Sequence, residues 1–245
     1  MPEAHDHWFE PVADHLGGAY LRYSFTKGTE QEVGFLVEAL PLAPGMRVLD
    51  VGCGPGRHAR ALASRGIEVV GVDISQRFVD LAAQDAPPGA TFLRADARTL
   101  PFDAEFDAAI SLCQGAFGLT GGPGAPLDGD GAVLDGIARS LRPGGVAAVS
   151  AFSAYFQLRN LEDGDSFDAG AGVNHERTEV RDEQGSATEV DLWTTCFTPR
   201  ELRLLADRAG LRVRDLWSVT PGEYAAAPPS IETPEFLLVA ERPGG

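Results

Sequence analysis

Lysine is almost absent: Lys27 is the only one among 20 basic residues, which face 36 acidic ones for a formal charge of −16. No run of arginines offers a local exception, so the chain repels phosphate backbones and anionic lipid surfaces. Neither nucleic acid nor a membrane is an expected partner. Cysteine is scarce as well. Cys53, Cys113 and Cys196 are an odd number at wide spacing, which excludes a disulfide framework and suits a reducing compartment. No apolar run approaches the roughly 18 residues of a membrane span. The opening MPEAHDHWFE lacks the basic-then-apolar pattern of an export signal, so the expected location is the cytoplasm. What is present is ordinary for a folded domain: 44% hydrophobic and 23% charged residues, enough chain for one core with an insertion.

Helical stripes precede the core, one through Trp8, Phe9, Val12, Ala13 and Leu16 and one through Val33, Leu36, Val37 and Leu40. From residue 46 to 152 short apolar runs at 48–51, 69–72, 91–93, 108–112 and 146–152 alternate with helical segments at 57–64, 76–84 and 131–141. This alternation predicts βαβ units and a parallel sheet. Arg142-Pro143-Gly144-Gly145 reads as the turn into the fifth strand. Asp182-Glu183-Gln184-Gly185 carries hairpin-turn chemistry between strand-like stretches at 178–181 and 188–193. Thr198-Pro199-Arg200-Glu201 reads as a capping box opening a helix that Gly210 ends, and two closing strands follow at 211–219 and 235–240.

The chemistry gathers where the first strand meets its helix. In Val48-Leu49-Asp50-Val51-Gly52-Cys53-Gly54-Pro55-Gly56 the glycines let the backbone turn sharply and approach a ligand, and the helix N-terminus offers free N–H groups. A dinucleotide fingerprint would place its third glycine where Arg57 stands, so a pyrophosphate is disfavoured. Asp73 ends the second strand, where a carboxylate can accept from both hydroxyls of a ribose. Asp96 follows the third strand, where an adenine amino group can donate. Asp50, Asp73 and Asp96 thus sit near the carboxyl ends of neighbouring strands, the side on which such sheets bind ligands.

The combination VLDVGCGPG, GVD, ADA, FDAAISL and LRPGG resembles the class I S-adenosylmethionine-dependent methyltransferases over residues 33–152, and the likeness resumes in FTPRELRLLADRAGL. The resemblance implies an α/β, Rossmann-like, seven-stranded sheet in order 3-2-1-4-5-7-6 with only the last strand antiparallel. It implies S-adenosylmethionine as cofactor and S-adenosylhomocysteine as product. Asp73 would hold the ribose, Asp96 with Ala97 the adenine, and Ile74 would pack on the ring. The backbone of Gly52, Cys53, Gly54 and Gly56 would face the amino-acid end, with Leu112 beside the methionine portion. Residues 31–152 and 197–245 would form the core, 1–30 a helical cover, and 153–196 a β-rich arm over the active site.

Methyl transfer needs positioning and exclusion of water more than catalytic side chains, and a base only where the acceptor must shed a proton. In Leu112-Cys113-Gln114-Gly115-Ala116-Phe117-Gly118, Gln114 is the candidate to orient an acceptor and Phe117 to wall its pocket, the alternative for both being loop packing. His175 is the candidate base, against an exposed histidine on a strand edge. Of Tyr20 and Tyr23 in the cover, Tyr23 is the candidate cofactor contact, against core packing. His5, His7 and His15 form no closed ligand set, so no metal is expected. The chain lacks the motif of adenine-specific DNA methyltransferases and the acidic hairpin of protein arginine methyltransferases, which leaves a small-molecule acceptor, methylated on N or O, in secondary metabolism. A non-catalytic cofactor-binding protein and an NAD-dependent oxidoreductase are the alternatives; a monomer and a homodimer both fit.

Overall fold

The computed structural model describes residues 7–113 and 115–244. Helix α1 (Phe9–Leu16) leads through 3-10 turns at Gly17–Arg22 and Ser24–Gly28 into α2 (Thr29–Ala39). The core then alternates through β1 (Arg47–Val51), α3 (Arg57–Ala63), β2 (Glu68–Asp73), α4 (Gln76–Gln84), β3 (Ala90–Arg94), β4 (Phe106–Ser111), α5 (Gly129–Ser140) and β5 (Leu141–Ser153). After α6 (Ala154–Arg159), strands β6 (Ser166–Asp168), β7 (Val173–Arg181) and β8 (Ala187–Phe197) intervene before α7 (Pro199–Arg208), β9 (Arg212–Val219) and β10 (Glu235–Glu241).

Hydrogen-bonded neighbours in the main sheet run β3-β2-β1-β4-β5-β10-β9. The first five are parallel, and β10 lies antiparallel to both β5 and β9. With β9 and β10 as the sixth and seventh core strands, this is the expected order with the last strand antiparallel. The three strands of the insertion add to those seven. Strand β1 is buried from its second residue because helices cover both faces of the sheet. Alternate residues feed the two faces: Leu49 and Val51 pack with Phe106, Ile137 and Phe236, while Val48 packs with Leu36, Leu62 and Ile110.

The fifth strand begins earlier than expected. Leu141 already pairs with Phe106, and the register then jumps to Ala108 opposite Val146, so Arg142 to Gly145 bulge outward with Gly144 at φ +82°. Fully buried Leu141 anchors the near side of the bulge, and Pro143 has no N–H to offer the ladder. The insertion is a three-stranded antiparallel sheet, β6-β7-β8. Its strand pairing to the core runs through Cys196 and Phe197, parallel to Phe152 and Ser153 at the C-terminal end of β5, and the Thr195 amide donates to the Gly118 carbonyl at 2.7 Å. Its hairpin closes as the turn residues predict: Asp182 Oδ1 accepts from the amides of Gln184 (2.9 Å) and Ser186 (2.7 Å), and Gly185 takes φ +89°. The capping box also forms, with Thr198 Oγ1 accepting from the Glu201 amide and Glu201 reaching back to the amide of Thr198. No helix among the described residues is long and apolar enough to cross a membrane.

Candidate functional site

The strand order reverses on either side of β1, and the glycine turn leaves the carboxyl end of that strand at this switch point. The amides of Gly52 and Cys53 both donate to the Val72 carbonyl, at 2.8 and 3.0 Å, which pins the turn to the end of β2. A Cβ at Gly52 would stand 2.0 Å from the Gly115 carbonyl carbon, so the loop after β4 lies against the turn because no side chain intervenes. Gly54, at φ +53°, faces the other way: a Cβ there would have one neighbour, Tyr20 Cε1 at 3.8 Å, and would otherwise project into open space. Gly56 serves packing, since a Cβ would meet the Phe92 ring at 2.9 Å.

The three aspartates occupy three different environments. Asp73 is buried at the base of the site; its Oδ2 accepts from the Gly54 amide (2.8 Å) and its Oδ1 from the Ser75 amide (2.9 Å). Burial pushes its pKa up to about 6, with those two amides pulling the other way. Asp50 is 1% exposed and lies beneath the turn rather than on a cavity wall. It accepts from the amide of Ala59, one of the free N–H groups at the start of α3, while its Oδ2 has no hydrogen-bond partner among the described residues. Burial raises it to about 7, against the pull of Arg57. Asp96 is gripped by Arg98, whose guanidinium reaches both carboxylate oxygens at 2.5 to 3.0 Å. Burial would raise Asp96, but the Arg98 contacts outweigh it and hold the carboxylate low.

Two connected spaces open here. A narrow cleft is lined by Asp73, Ile74, Asp96, Ala97, His7 and Phe9. A wider cavity of about 410 Å³ shares Phe9, Gly52 and Asp73 with the cleft and extends past Tyr20 and Phe78 to the insertion and the start of β10. Tyr20, not Tyr23, is the tyrosine on this cavity. Its ring packs 5.0 Å from Phe78, whereas Tyr23 lies 36% exposed on an outer groove beside Arg181. The 3-10 turn of Gly17–Arg22 directs Tyr20 inward and leaves Tyr23, its C-cap, extended toward solvent.

The cover is tied down by Trp8. Its indole N–H donates to the carbonyls of Leu119 (3.2 Å) and Gly121 (2.9 Å), and its ring meets Trp193 of β8 edge-to-face at 5.4 Å. One side chain therefore clasps the N-terminal segment, the loop after β4 and the insertion. Trp8→Ala should speed release of bound cofactor product by about three- to tenfold, the range an aromatic pair of this kind supports, with little change in the melting temperature of the core. Stopped-flow dissociation of S-adenosylhomocysteine checks this, and an unchanged off-rate would show that the clasp does not gate the site.

On the opposite side the structure corrects two expectations. His175 does not face the cavity: it stacks on Trp193 at 5.1 Å and its Nε2 bonds Asp191 at 2.7 Å. Adjacent residues of a strand point to opposite faces, so it is Glu176 that lines the cavity, with Leu192 and Thr194 of β8. Phe117 is fully buried and stacked on Phe197 at 4.7 Å, making it core and not pocket wall. The loop is turned inward there because Asp130 accepts from the Gly118 amide at 2.7 Å. Leu112 and Cys53 are buried off the cavity surface, and Gln114 lies outside the described residues.

Behind the turn, Glu32 of α2 accepts from Arg57 Nη1 (2.6 Å), His58 Nε2 (2.7 Å) and the Gly222 amide (2.9 Å). Arg57 Nη2 also reaches Cys113 Sγ at 2.8 Å. Glu32, His58 and Cys113 bring donor atoms within 4.8 Å of one another, as a metal site would. The Arg57 guanidinium already bridges Glu32 and Cys113, and its fixed positive charge opposes a cation there. Sequence reasoning missed His7, Phe9 and Arg98 on the cleft and Glu176 and Glu235 on the cavity.

The arrangement fits S-adenosylmethionine: a buried carboxylate for a ribose, a cleft ending at Asp96 and Ala97, and open space over Gly54 that a Cβ would fill. A family model described as a methyltransferase domain matches residues 48–145. A cypemycin N-terminal methyltransferase from Streptomyces sp is 32% identical over 217 residues, which cover 81% of this chain and 84% of that protein. The CcbJ methyltransferase from Streptomyces caelestis shares the fold at a TM-score of 0.74 and 21% identity, with 98% of each chain covered. S-adenosylmethionine-bound CalS10, an amino pentose methyltransferase from Micromonospora echinaspora involved in calicheamicin biosynthesis, shares it at 0.66 and 24%, covering 91% of this chain and 95% of that one.

Proposed function

Because the chain belongs to the class I S-adenosylmethionine-dependent methyltransferases, we propose that it methylates a small-molecule acceptor, at nitrogen or oxygen, in the biosynthesis of a specialised metabolite. The observation that carries this reading is the cavity of about 410 Å³, which runs from Gly52, Gly54 and Asp73 to side chains of the insertion and β10. A space of that size, walled by aromatic rings with few polar groups, suits a small organic ligand. The relatives named for cypemycin and for calicheamicin biosynthesis point the same way.

The cofactor supplies an electrophilic methyl group on a sulfonium. Asp73 holds the ribose, Asp96 and Ala97 bound the adenine, Ile74 and Phe9 flank that cleft, and the Gly52 to Gly54 backbone faces the amino-acid end. Phe9, Tyr20 and Phe78 exclude water from the space above the turn, where alignment of acceptor and methyl carbon carries most of the rate. Acceptor choice would fall to residues 153–196 and to the first 30, of which Phe9, Tyr20, Phe25, Glu176 and Leu192 line the cavity.

Titration calorimetry with S-adenosylmethionine, S-adenosylhomocysteine and NAD, followed by transfer from methyl-labelled cofactor into a small-molecule extract, tests the reading. The first two should bind and NAD should not, with label arriving in the low-mass fraction. Binding without transfer would favour a non-catalytic cofactor-binding protein, and binding of NAD alone would favour an oxidoreductase.

A further inference from the structure

We propose that the acceptor is an amine, held as its ammonium by Glu176 of β7 and Glu235 of β10, and that Glu176 takes the proton the nitrogen must lose before attack. The inference rests on the methyl-transfer reading above. Among the described residues lining the cavity there are three carboxylates, Asp73, Glu176 and Glu235, and no lysine, arginine or histidine. Asp73 belongs to the ribose side. The other two stand on the far wall, on separate elements, in a chamber built largely from Trp8, Phe9, Tyr20, Phe25 and Phe152, with Thr194 beside Glu176.

The composition of that wall selects among acceptors. A carboxylate or phosphate acceptor would be repelled by this acidic wall, and a neutral alcohol would gain nothing from its charge. An ammonium answers both, and the surrounding ring faces attract it as well. The reaction moves positive charge from sulfur to the acceptor nitrogen, so fixed negative charge beside the nitrogen favours the product side of the transition state.

The ammonium gives one proton to the Glu176 carboxylate and becomes a neutral amine. Its lone pair forms the new C–N bond as the C–S bond of the donor breaks, with that bonding pair left on sulfur. The product leaves as a methylated ammonium, and Glu176 releases its proton to solvent. The two glutamates differ in the way these roles require. Glu235, 2% exposed, is screened from the solvent to which a proton would have to pass. Glu176 is half-buried with a path to water, and burial together with Asp165 and Glu162 pushes its carboxyl above the ordinary glutamate range while Thr178 pulls the other way.

The test uses 2-phenylethylamine and 2-phenylethanol as matched probes on protein saturated with S-adenosylhomocysteine, at neutral pH. The amine should bind at least about tenfold more tightly than the alcohol, as charge-assisted hydrogen bonds require. Glu176→Gln and Glu235→Gln should each cut that preference severalfold, and together abolish it, while S-adenosylhomocysteine binding stays within about twofold of wild type and so certifies the fold. Equal binding of the two probes, binding of neither, or a preference that survives the double substitution would overturn the proposal. Failure of the wild-type protein to bind S-adenosylhomocysteine is a different result, and sinks the methyl-transfer reading itself.

Discussion

Asp73→Ala should weaken S-adenosylhomocysteine binding by about 100-fold or more, measured by titration calorimetry. On the proposed reading the carboxylate at the end of β2 would accept from both ribose hydroxyls, and hydrogen bonds to a charged acceptor are worth roughly 1.5–3 kcal/mol each. The same substitution removes the acceptor for the Gly54 and Ser75 amides, so the glycine turn loses a tether as well. Asp73→Asn keeps the shape and one acceptor oxygen and should fall between, at about tenfold. A variant with alanine that binds within about threefold of wild type would show that the ribose lies elsewhere.

The pH dependence of that affinity follows from the same burial. Asp73 titrates at about 6 in the free protein, above the ordinary aspartate value, so the native state takes up its proton before the unfolded chain does. Its contribution to stability is therefore complete at low pH and lost as pH rises through about 6. Cofactor binding has the opposite sign, since ribose hydroxyls need the ionised acceptor. Affinity should be about tenfold lower at pH 5 than at pH 7, as protonation of one essential group near 6 dictates. Binding near pH 6 should also release a proton, visible as a dependence of the binding heat on the buffer.

The features legible in the sequence are those set by short-range chemistry. The βα alternation, the glycine turn, Asp73 at the end of β2, the Asp182 hairpin and the Thr198 capping box each depend on a few adjacent residues, and each forms. What escaped depends on a parity or a packing partner. Expecting the strand to begin at residue 178 left His175 outside it. Once β7 is known to begin at Val173, alternation puts Glu176 on the face of Val180, which packs against Val12 and Leu16 of α1, and turns His175 away. Tyr20 and Tyr23 sit in one aromatic run whose inward side is chosen by a 3-10 turn that periodicity does not announce. Phe117 could not be told from a pocket residue without Asp130, which reaches back from α5 to fold the loop inward. Glu235 opens a strand whose next five residues are apolar, a position with no signature until the cavity beside it is seen.

Glu32→Ala should destabilise the fold by about 3–5 kcal/mol, the usual cost of removing one partner from a buried ion pair. The side chain is completely buried and joins three separate segments: α2 itself, Arg57 and His58 at the start of α3, and the Gly222 amide. Burial pushes the Glu32 carboxyl upward, but His58 and Arg57 outweigh it and hold it below the ordinary glutamate range. Burial also pushes the His58 imidazole down, so at neutral pH the cluster is one cation, Arg57, one anion, Glu32, and a neutral histidine donating its Nε2–H. Without the carboxylate, Arg57 keeps its charge in a buried place, its remaining side-chain hydrogen bonds among the described residues being to Thr29 and Cys113. A carboxyl held below its unfolded value stabilises above that value and loses its contribution as pH falls, so the difference between wild type and Glu32→Ala should shrink in acid. Glu32→Gln keeps the shape but not the charge, and should lie between the two in denaturant titrations. The effect should reach the site as well: Arg57 reaches Cys113 at the end of β4, and Gly222 follows Pro221 of the cavity wall, so weaker cofactor binding should accompany the lost stability. A loss under about 1 kcal/mol would mean that α2 and the 222 loop are held by apolar packing alone, and that the glycine turn keeps its shape without the pair behind it.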